Sequence, residues 1–259
     1  MKNFVVGAQL YSVRPLMQTE QDIAATFKAI REMGYTTCQL SGQNRSIPSE
    51  KIAELLKEAG LKCVVTHNSM KDFEEDIDAL IQRHKTWNCA YAGLGAMPKE
   101  YHEDIEGFRS FAKKANAFAE RLADDGITFV YHNHAFEFAR YDGVLGMDVL
   151  FDEFGPKTQF ELDTYWVQEG GANPAKWIRR VDGRMDVGHF KDMAGQNSNT
   201  SLMVPFGCGN LDWDEIRLAC EETHVKYMEI EQDNAADKPD PLGEMRMSAD
   251  NLKKLGFTL

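Results

Sequence analysis

Residues 4–41 read FVVGAQLYSVRPLMQTEQDIAATFKAIREMGYTTCQLS and contain the structural unit that the rest of the chain repeats. The runs 4–10 and 36–41 are short and rich in apolar and β-branched residues, which is typical of buried strands. Between them, apolar residues recur at spacings of three and four and predict an amphipathic helix over residues 20–33. These apolar residues are Ile23, Phe27, Ile30 and Met33. Gly34 follows, at a position where the left-handed end of a helix favours a residue without Cβ.

The same alternation continues along the chain. Further strand candidates are 61–67, 88–94, 127–133, 158–163, 184–190 and 225–231. Further helix candidates are 49–59, 73–86, 103–124, 147–154, 174–180, 213–222 and 240–254. Eight β-then-α units of about 32 residues predict an α/β protein, a (β/α)8 TIM barrel formed by a single domain over residues 1–259. A doubly wound open sheet is the alternative, but residues 9–14 (QLYSVR) lack the Gly-rich phosphate turn that usually follows its first strand.

The composition is that of a globular protein, with 43% hydrophobic and 27% charged residues among 259. The chain has 29 Lys and Arg against 41 Asp and Glu, a formal net charge of −12. An acidic surface repels nucleic-acid phosphates and anionic lipids. We therefore expect neither a nucleic acid nor a membrane as a partner, while the sequence leaves a homo-oligomer open.

No feature of the sequence indicates export. No apolar run approaches the ~18 residues of a membrane-spanning helix. Residues 1–7 (MKNFVVG) lack the apolar core and cleavage site of a signal peptide. The five cysteines form no CxxC motif, and Cys38, Cys63 and Cys89 lie in strand-like runs, where a thiol usually packs as a small hydrophobe. We expect a reduced, cytoplasmic protein without a disulfide framework.

Polar residues stand where the predicted strands end. In chain order they are Gln9 and Tyr11, Ser41, His67, the run 131–134 (YHNH), Asp163, His189 and Glu231. In a barrel these ends converge on the carboxyl-terminal face, where barrel active sites lie. Each has an ordinary structural interpretation, such as a helix cap for Asp163 or an ion pair with Lys191 for Glu231. Because Asp163, His189 and Glu231 end three successive strands, however, their convergence favours a divalent-metal site.

Six motifs occur in the order typical of one enzyme family. They are 7–14 (GAQLYSVR), 131–138 (YHNHAFEF), 162–166 (LDTYW), 188–192 (GHFKD), 206–213 (FGCGNLDW) and 229–233 (EIEQD). On these motifs the sequence resembles the xylose-isomerase-like barrels of the sugar isomerase/epimerase superfamily. More narrowly, it is similar to the bacterial group of sugar phosphate isomerases/epimerases. This superfamily contains isomerases, epimerases, dehydratases, lyases and an endonuclease on one scaffold.

The resemblance implies one divalent metal ion (Mn, Mg, Co or Zn) held by two Glu, one Asp and one His. By motif, Asp163, His189 and Glu231 are three of these ligands. The fourth departs from the family, whose epimerases carry a Glu at the end of the fifth strand, where this sequence has Tyr131. We expect Glu137 to fold back and complete the ligand set, with a histidine as the alternative.

The resemblance also implies chemistry at a sugar carbon. In the family, the metal holds two adjacent sugar oxygens and carboxylates move the proton between them through a metal-stabilised enediolate. Because the strand-end Glu is absent here, we expect His132 or His134 to be the proton-transfer base facing Glu231. Lys191 is expected near a developing oxyanion or a substrate hydroxyl.

The ligand expected from the resemblance is a small sugar or sugar derivative. His67 is a candidate for binding a hydroxyl, and Tyr11 and Trp166 for packing on ring carbons. The function implied first is a metal-dependent isomerase or epimerase of a sugar or keto-sugar. A metal-dependent dehydratase or lyase on a keto-inositol or 3-keto-glycoside is the alternative, and a non-catalytic sugar-binding barrel is the third hypothesis. The polar, Gly-rich stretch 193–210 follows a strand and is expected to be a long loop over the active face that serves as a lid.

Overall fold

Eight parallel strands form the central sheet of the computed structural model, which describes residues 4–259. In chain order the strands are Val5–Gln9, Thr37–Leu40, Lys62–Asn68, Tyr91–Leu94, Thr128–His132, Thr158–Glu161, Val187–Phe190 and Tyr227–Ile230. We refer to them as strands one to eight. All eight predicted strands are present, with bounds that differ from the expected ones by a few residues.

The strands curl into a nearly closed barrel. Their order in the sheet is six, five, four, three, two, one, eight, seven, so strand one pairs with strand eight. Strands six and seven are joined by a parallel bridge between Asp163, just after strand six, and His189, within strand seven. The predicted single-domain (β/α)8 TIM barrel is therefore confirmed. The predicted domain bounds 1–259 include residues 1–3, which lie outside the described residues.

The helices surround this barrel. They are Glu20–Met33, Ser49–Ala59, Met70–Glu75, Ile77–Trp87, Ile105–Ala123, Gly146–Glu153, Thr164–Glu169, Pro174–Arg180, Trp213–Glu222 and Pro241–Lys254. The predicted helix 73–86 is two helices, because Asp76 between them has non-helical backbone angles. The short helix Thr164–Glu169 is one that the sequence analysis does not predict. None of the helices within residues 4–259 is long and apolar enough to cross a membrane.

A small apolar cluster fills the barrel beneath the strand ends. It consists of Val64, Val65, Tyr91, Val130 and Val187. Residues two apart on a strand point to the same side, so Val130 lies beneath His132 and Val187 beneath His189. The polar residues at the strand ends therefore rest on an apolar layer, which holds their side chains at the carboxyl-terminal face.

The segment predicted as a loop, 193–210, contains strand structure. Asp192–Gly195 pairs with Ser201–Val204 as an antiparallel hairpin. The buried carboxylate of Asp192 accepts a hydrogen bond from the backbone amide of Gly209 at 2.9 Å and so fastens the returning chain. The expected long loop thus contains an antiparallel hairpin, while its role as a lid stays a prediction.

Candidate active site

Four side chains of metal-ligand type converge at the carboxyl ends of strands five to eight. His132 ends strand five, Asp163 follows strand six, His189 lies in strand seven and Glu231 directly follows strand eight. All four are buried, and one ligand atom from each lies within 4.8 Å of the others. We call these residues the four-residue cluster. It brings together three residues expected as ligands and adds His132, which we expected only as a base or as an unspecified histidine ligand.

Both ring nitrogens of each cluster histidine face atoms that accept hydrogen bonds. Nδ1 of His132 lies 3.1 Å from the carbonyl oxygen of Gly95, and its Nε2 lies 3.3 Å from Oδ2 of Asp163. Nε2 of His189 lies 2.7 Å from Oε1 of Gln39 and 3.3 Å from Oε1 of Glu161. A neutral ring carries one proton, and when that proton is on Nδ1 of His132 or on Nε2 of His189, the other nitrogen directs a lone pair into the cluster.

These lone pairs face carboxylate oxygens at short range. Nδ1 of His189 lies 3.0 Å from Oε2 of Glu231 without forming a hydrogen bond, and Nε2 of His132 lies 3.3 Å from Oδ2 of Asp163. Two acceptors at such distances repel each other unless a cation lies between them. Two imidazole nitrogens and two carboxylate oxygens form a donor set that fits a divalent ion such as Zn²⁺ or Mn²⁺.

The protein's own charges also act on His189. Burial alone would lower the pKa of this imidazole, but Glu161 and Glu231 outweigh burial and raise its pKa well above the usual value. Without a metal ion, a proton on His189 thus adds positive charge that offsets the nearby carboxylates of Glu161 and Glu231.

Asp163 performs two tasks with its two oxygens. Oδ1 accepts a hydrogen bond from the backbone amide of Trp166 at 3.0 Å and caps the helix Thr164–Glu169. Oδ2 faces the cluster. The helix-cap interpretation and the cluster position are therefore both present in the same side chain.

Lys191 lies at the edge of the cluster and is fully buried. Its Nζ is 2.9 Å from Oδ2 of Asp163, 2.7 Å from Oε2 of Glu231 and 3.1 Å from Oδ2 of Asp233. Burial alone would lower the pKa of Lys191, but these three carboxylates raise it well above the usual value, so the side chain stays an ammonium. The ion pair with Glu231 that the sequence offered as an ordinary interpretation is present.

Glu161 is a buried carboxylate that the sequence analysis missed. Its Oε2 lies 2.8 Å from Nε2 of His67, and its Oε1 lies 3.3 Å from Nε2 of His189. Burial would raise its pKa, but His67 and His189 lower it far below the usual range, so Glu161 is ionised. The sequence feature that could have identified Glu161 is its position two residues before Asp163, which places it on the inward face of strand six.

Glu137 does not join the cluster. Its Oε1 accepts from the Tyr131 hydroxyl at 2.6 Å and its Oε2 from the backbone amide of His134 at 2.9 Å. Burial raises the pKa of Glu137 to about 7, against the effect of these hydrogen bonds. Both oxygens are thus engaged in holding the turn after strand five, and among residues 4–259 the geometry places His132, not Glu137, beside Asp163.

A cavity of about 690 Å³ opens at the same face. The expected site residues that line it are Tyr11, His67, His132, His134, Lys191 and Glu231. Trp166 lies behind this lining, with its ring centroid 5.2 Å from that of His134 and 5.5 Å from Nζ of Lys191. Tyr11 is exposed at the cavity and packs against the guanidinium of Arg14 at 4.1 Å.

Of the three histidines that line the cavity, His67 lies 2.8 Å from Glu161 and His132 lies 3.3 Å from Asp163, whereas the ring of His134 has no carboxylate partner among the described residues. Its Nδ1 is buried without a hydrogen-bond partner. Burial first, and then the nearby His132 and Lys191, lower its pKa to about 3. His134 is therefore a neutral imidazole.

Glu229 lies two residues before Glu231 on the same face of strand eight, below the cluster. Both of its carboxylate oxygens are buried without hydrogen-bond partners, and burial raises its pKa to about 8. Strand one accommodates it with Gly7, where a Cβ would clash with the carboxylate of Glu229. The structure thus places Glu231, and not Glu229, in the cluster.

Comparison with known families identifies the class of this barrel. Residues 27–255 match the sequence profile of the Xylose isomerase-like TIM barrel family, which covers most of the chain. The chain belongs to the xylose isomerase-like TIM barrel family, as its motifs suggested. A comparison with curated protein sequences finds no match.

Solved structures share the fold at low sequence identity. A sugar phosphate isomerase/epimerase from Parabacteroides distasonis is 22% identical, with a TM-score of 0.82 over 99% of this chain and 100% of that chain. The probable 3-DHS dehydratase of petrobactin synthesis from Bacillus anthracis is 16% identical, with a TM-score of 0.72 over 96% and 98%. The IOLI protein with a bound zinc atom is 10% identical, with a TM-score of 0.68 over 97% and 98%. At these identities the likeness concerns the fold.

Proposed function

We propose that this protein is a divalent-metal-dependent isomerase or epimerase of a sugar or keto-sugar. The observation that carries the proposal is the buried cluster of His132, Asp163, His189 and Glu231, in which histidine lone pairs face carboxylates at the catalytic end of a TIM barrel. These side chains would hold one Mn²⁺, Mg²⁺, Co²⁺ or Zn²⁺ ion, with His132 in the place expected for Glu137. The zinc-binding IOLI structure on the same fold supports such a site.

The chemistry proposed is proton transfer at a carbon beside a carbonyl group. When bound, the metal ion polarises substrate oxygens and so acidifies the neighbouring carbon-bound proton. His134 is the proposed base, because its neutral ring lines the cavity beside the four-residue cluster. Glu231 also lines the cavity and is the second candidate for proton transfer. The Lys191 ammonium is placed to neutralise negative charge that develops on a substrate oxygen.

The proposed substrate is a small sugar or sugar derivative. A cavity of about 690 Å³ lies in the size range of small-molecule sites. His67, oriented by Glu161, offers a polar contact for a hydroxyl. Tyr11 offers an exposed ring for the apolar face of a sugar, while Trp166 supports the cavity from behind His134.

A metal-dependent dehydratase or lyase acting on a keto-inositol or 3-keto-glycoside is the second candidate. It is favoured by the end of strand five, where the imidazole of His132 stands and the carboxylate of Glu137 is turned away. Elimination needs one base and one group that assists the leaving oxygen, and neutral His134 with cationic Lys191 supplies such a pair. The shared fold with a probable dehydratase is compatible with this candidate.

Proton NMR in D₂O, with the Mn²⁺-loaded protein and a panel of sugars, inososes and 3-keto-glycosides, tests the proposal. We expect one substrate to incorporate solvent deuterium at the carbon beside its carbonyl, and the product then separates isomerisation or epimerisation from elimination. The Asp163→Asn variant, which removes a ligand charge, is the control and should show no incorporation. If the loaded protein binds a sugar but exchanges no proton of any member, the protein is a non-catalytic sugar-binding barrel and the proposal fails.

A cytoplasmic location is proposed from the thiols. The buried free cysteines of the described chain are Cys38, Cys63, Cys89 and Cys220. Free thiols fit a reducing compartment. Cell fractionation with an antibody against the protein would check this location.

A further inference from the structure

The ammonium group of Lys191 is enclosed by carboxylates at the edge of the four-residue cluster. Its Nζ lies 2.9 Å from Asp163, 2.7 Å from Glu231 and 3.1 Å from Asp233. Only 1% of the lysine side chain is exposed, so bulk water does not screen these contacts. Asp163 and Glu231 belong to the cluster, whereas Asp233 lies outside it.

The ammonium contacts the same oxygen atoms that face the cluster histidines. Oδ2 of Asp163 is the oxygen that lies 3.3 Å from Nε2 of His132, and Oε2 of Glu231 is the one that lies 3.0 Å from Nδ1 of His189. A metal ion held by the cluster would therefore share both oxygens with a positive charge. Two cations on one pair of buried oxygens repel each other, which weakens the binding of the metal.

We propose that Lys191 and Asp233 together set the metal affinity of the cluster. Lys191 is an internal competitor of the metal ion, and Asp233 is the partner that draws its ammonium away from the metal ligands. This inference rests on the metal site of the proposed function. Asp233 offers the ammonium two oxygens, at 3.1 and 3.2 Å, so Lys191 keeps a charged partner after metal binding.

The same arrangement stabilises the protein when no metal is bound. Buried carboxylates as close as Asp163 and Glu231 need a nearby cation, and the ammonium of Lys191 supplies it. Lys191 thus exchanges one role for another: it offsets the ligand charges in the metal-free protein and rests against Asp233 in the loaded one.

The test measures Mn²⁺ affinity by isothermal titration calorimetry at about pH 8, where the carboxylates of Asp163, Glu231 and Asp233 are ionised. We expect Lys191→Met, which removes the charge and keeps an apolar side chain, to bind Mn²⁺ at least about tenfold more tightly than the wild type. Asp233→Asn is expected to bind it several-fold more weakly, because the ammonium then rests on the ligands alone. When Asp233→Asn is combined with Lys191→Met, it should no longer weaken Mn²⁺ binding, because no ammonium remains for Asp233 to draw away from the ligands.

Asp237→Asn is the matched control for the loss of one negative charge. Asp237 lines the same cavity and is exposed, while the ion pairs of Lys191 are made to Asp163, Glu231 and Asp233. We expect Asp237→Asn to change Mn²⁺ affinity by less than Asp233→Asn does. Equal effects of the two Asn variants, or a Lys191→Met protein that binds Mn²⁺ no more tightly than the wild type, would overturn the inference.

Thermal unfolding with and without Mn²⁺ shows whether each variant is folded. Without metal, Lys191→Met should unfold at a lower temperature than the wild type. Added Mn²⁺ should raise the unfolding temperature of Lys191→Met by more than that of the wild type. If Lys191→Met does not fold, the comparison of Asp233→Asn with Asp237→Asn decides alone. Mn²⁺ binding by the wild type with unchanged affinity in Lys191→Met overturns only this inference, whereas absence of binding in both proteins overturns the proposed metal site as well.

Discussion

His132 and His134 lie two residues apart, yet the structure gives them different surroundings. His132 faces Asp163 inside the cluster, while His134 lines the cavity with an unpartnered Nδ1. We predict that His134→Gln keeps the metal content and lowers kcat by roughly 10²–10⁴-fold, the usual worth of a positioned base. His132→Gln should instead lower the bound metal, measured by elemental analysis of the dialysed proteins. A His134→Gln variant with near-normal deuterium exchange would exclude His134 as the base and make Glu231, which also lines the cavity, the leading candidate.

Substitution of Glu137 tests whether this carboxylate has a structural role or binds the metal ion. Both of its oxygens are hydrogen-bonded, to the hydroxyl of Tyr131 and the amide of His134. We predict that Glu137→Gln retains the full metal content and loses about 1–3 kcal/mol of unfolding free energy, since a buried hydrogen bond is weakened or lost. Urea unfolding and metal analysis of the same sample measure both quantities, and Tyr131→Phe should show the same pattern. Loss of the metal in Glu137→Gln alone would restore Glu137 as the fourth ligand.

The helix Ile77–Trp87 is joined to strand three through a buried histidine. Nε2 of His84 lies 2.9 Å from Oγ1 of Thr66, and Nδ1 lies 2.9 Å from the carbonyl oxygen of Leu80. Burial first, with a smaller effect of Arg83, lowers the pKa of His84 to about 4, although the Leu80 carbonyl opposes this shift. The folded protein therefore binds the proton less readily than the unfolded chain, whose histidine has the ordinary value near 6.5.

The sign of the pH effect follows from that difference. The stabilising contribution of neutral His84 is complete above about pH 6.5 and is lost as the pH falls toward about 4. We predict that the wild type loses roughly 2 kcal/mol more unfolding free energy between pH 7 and pH 5 than His84→Asn does. Urea unfolding at the two pH values measures this, with His224→Asn as a control at an exposed histidine. Parallel losses in wild type and His84→Asn would show that this helix contact carries no pH dependence.

The hairpin of Asp192–Gly195 and Ser201–Val204 is the part of the chain best placed to respond to a substrate. Met203 lines the cavity, and its carbonyl oxygen accepts a hydrogen bond from the side-chain Nδ2 of Asn234 at 3.1 Å. We predict that amide hydrogen exchange in the hairpin slows when a substrate binds, because the hairpin then packs over the occupied cavity. The hairpin of Arg140–Tyr141 with Val144–Leu145, which does not line this cavity, is the internal reference. Equal exchange with and without substrate would exclude a lid.

The barrel as a whole was predictable because its evidence is repeated along the chain. Each strand and helix carries its own periodic pattern, so an error in one unit leaves the count of eight intact. The convergence of Asp163, His189 and Glu231 followed from the same count, since parallel strands end at one face. The separate helix Thr164–Glu169 escaped because six residues are too few to show a helical period.

The rest of the candidate site depends on contacts that no local pattern encodes. Glu161 stands inside a strand-like run two residues before Asp163, and its contacts with His67 and His189 in the folded chain show that it is a buried charge. Glu137 was expected to turn toward the metal, but the turn after strand five directs it to Tyr131 instead. His132 takes its place in the cluster. The ring of His132 is oriented by the carbonyl oxygen of Gly95, in the loop that follows strand four.

One divalent ion held by His132, Asp163, His189 and Glu231 is the feature on which all of the proposed chemistry depends. Anomalous diffraction from crystals of the protein grown with Mn²⁺ measures it directly. We predict a single strong anomalous peak within about 2.0–2.6 Å of a nitrogen or oxygen atom of each of the four side chains. Mn²⁺ bound only at other carboxylates, or coordinated by Glu137 while His132 stays outside the coordination sphere, would contradict it.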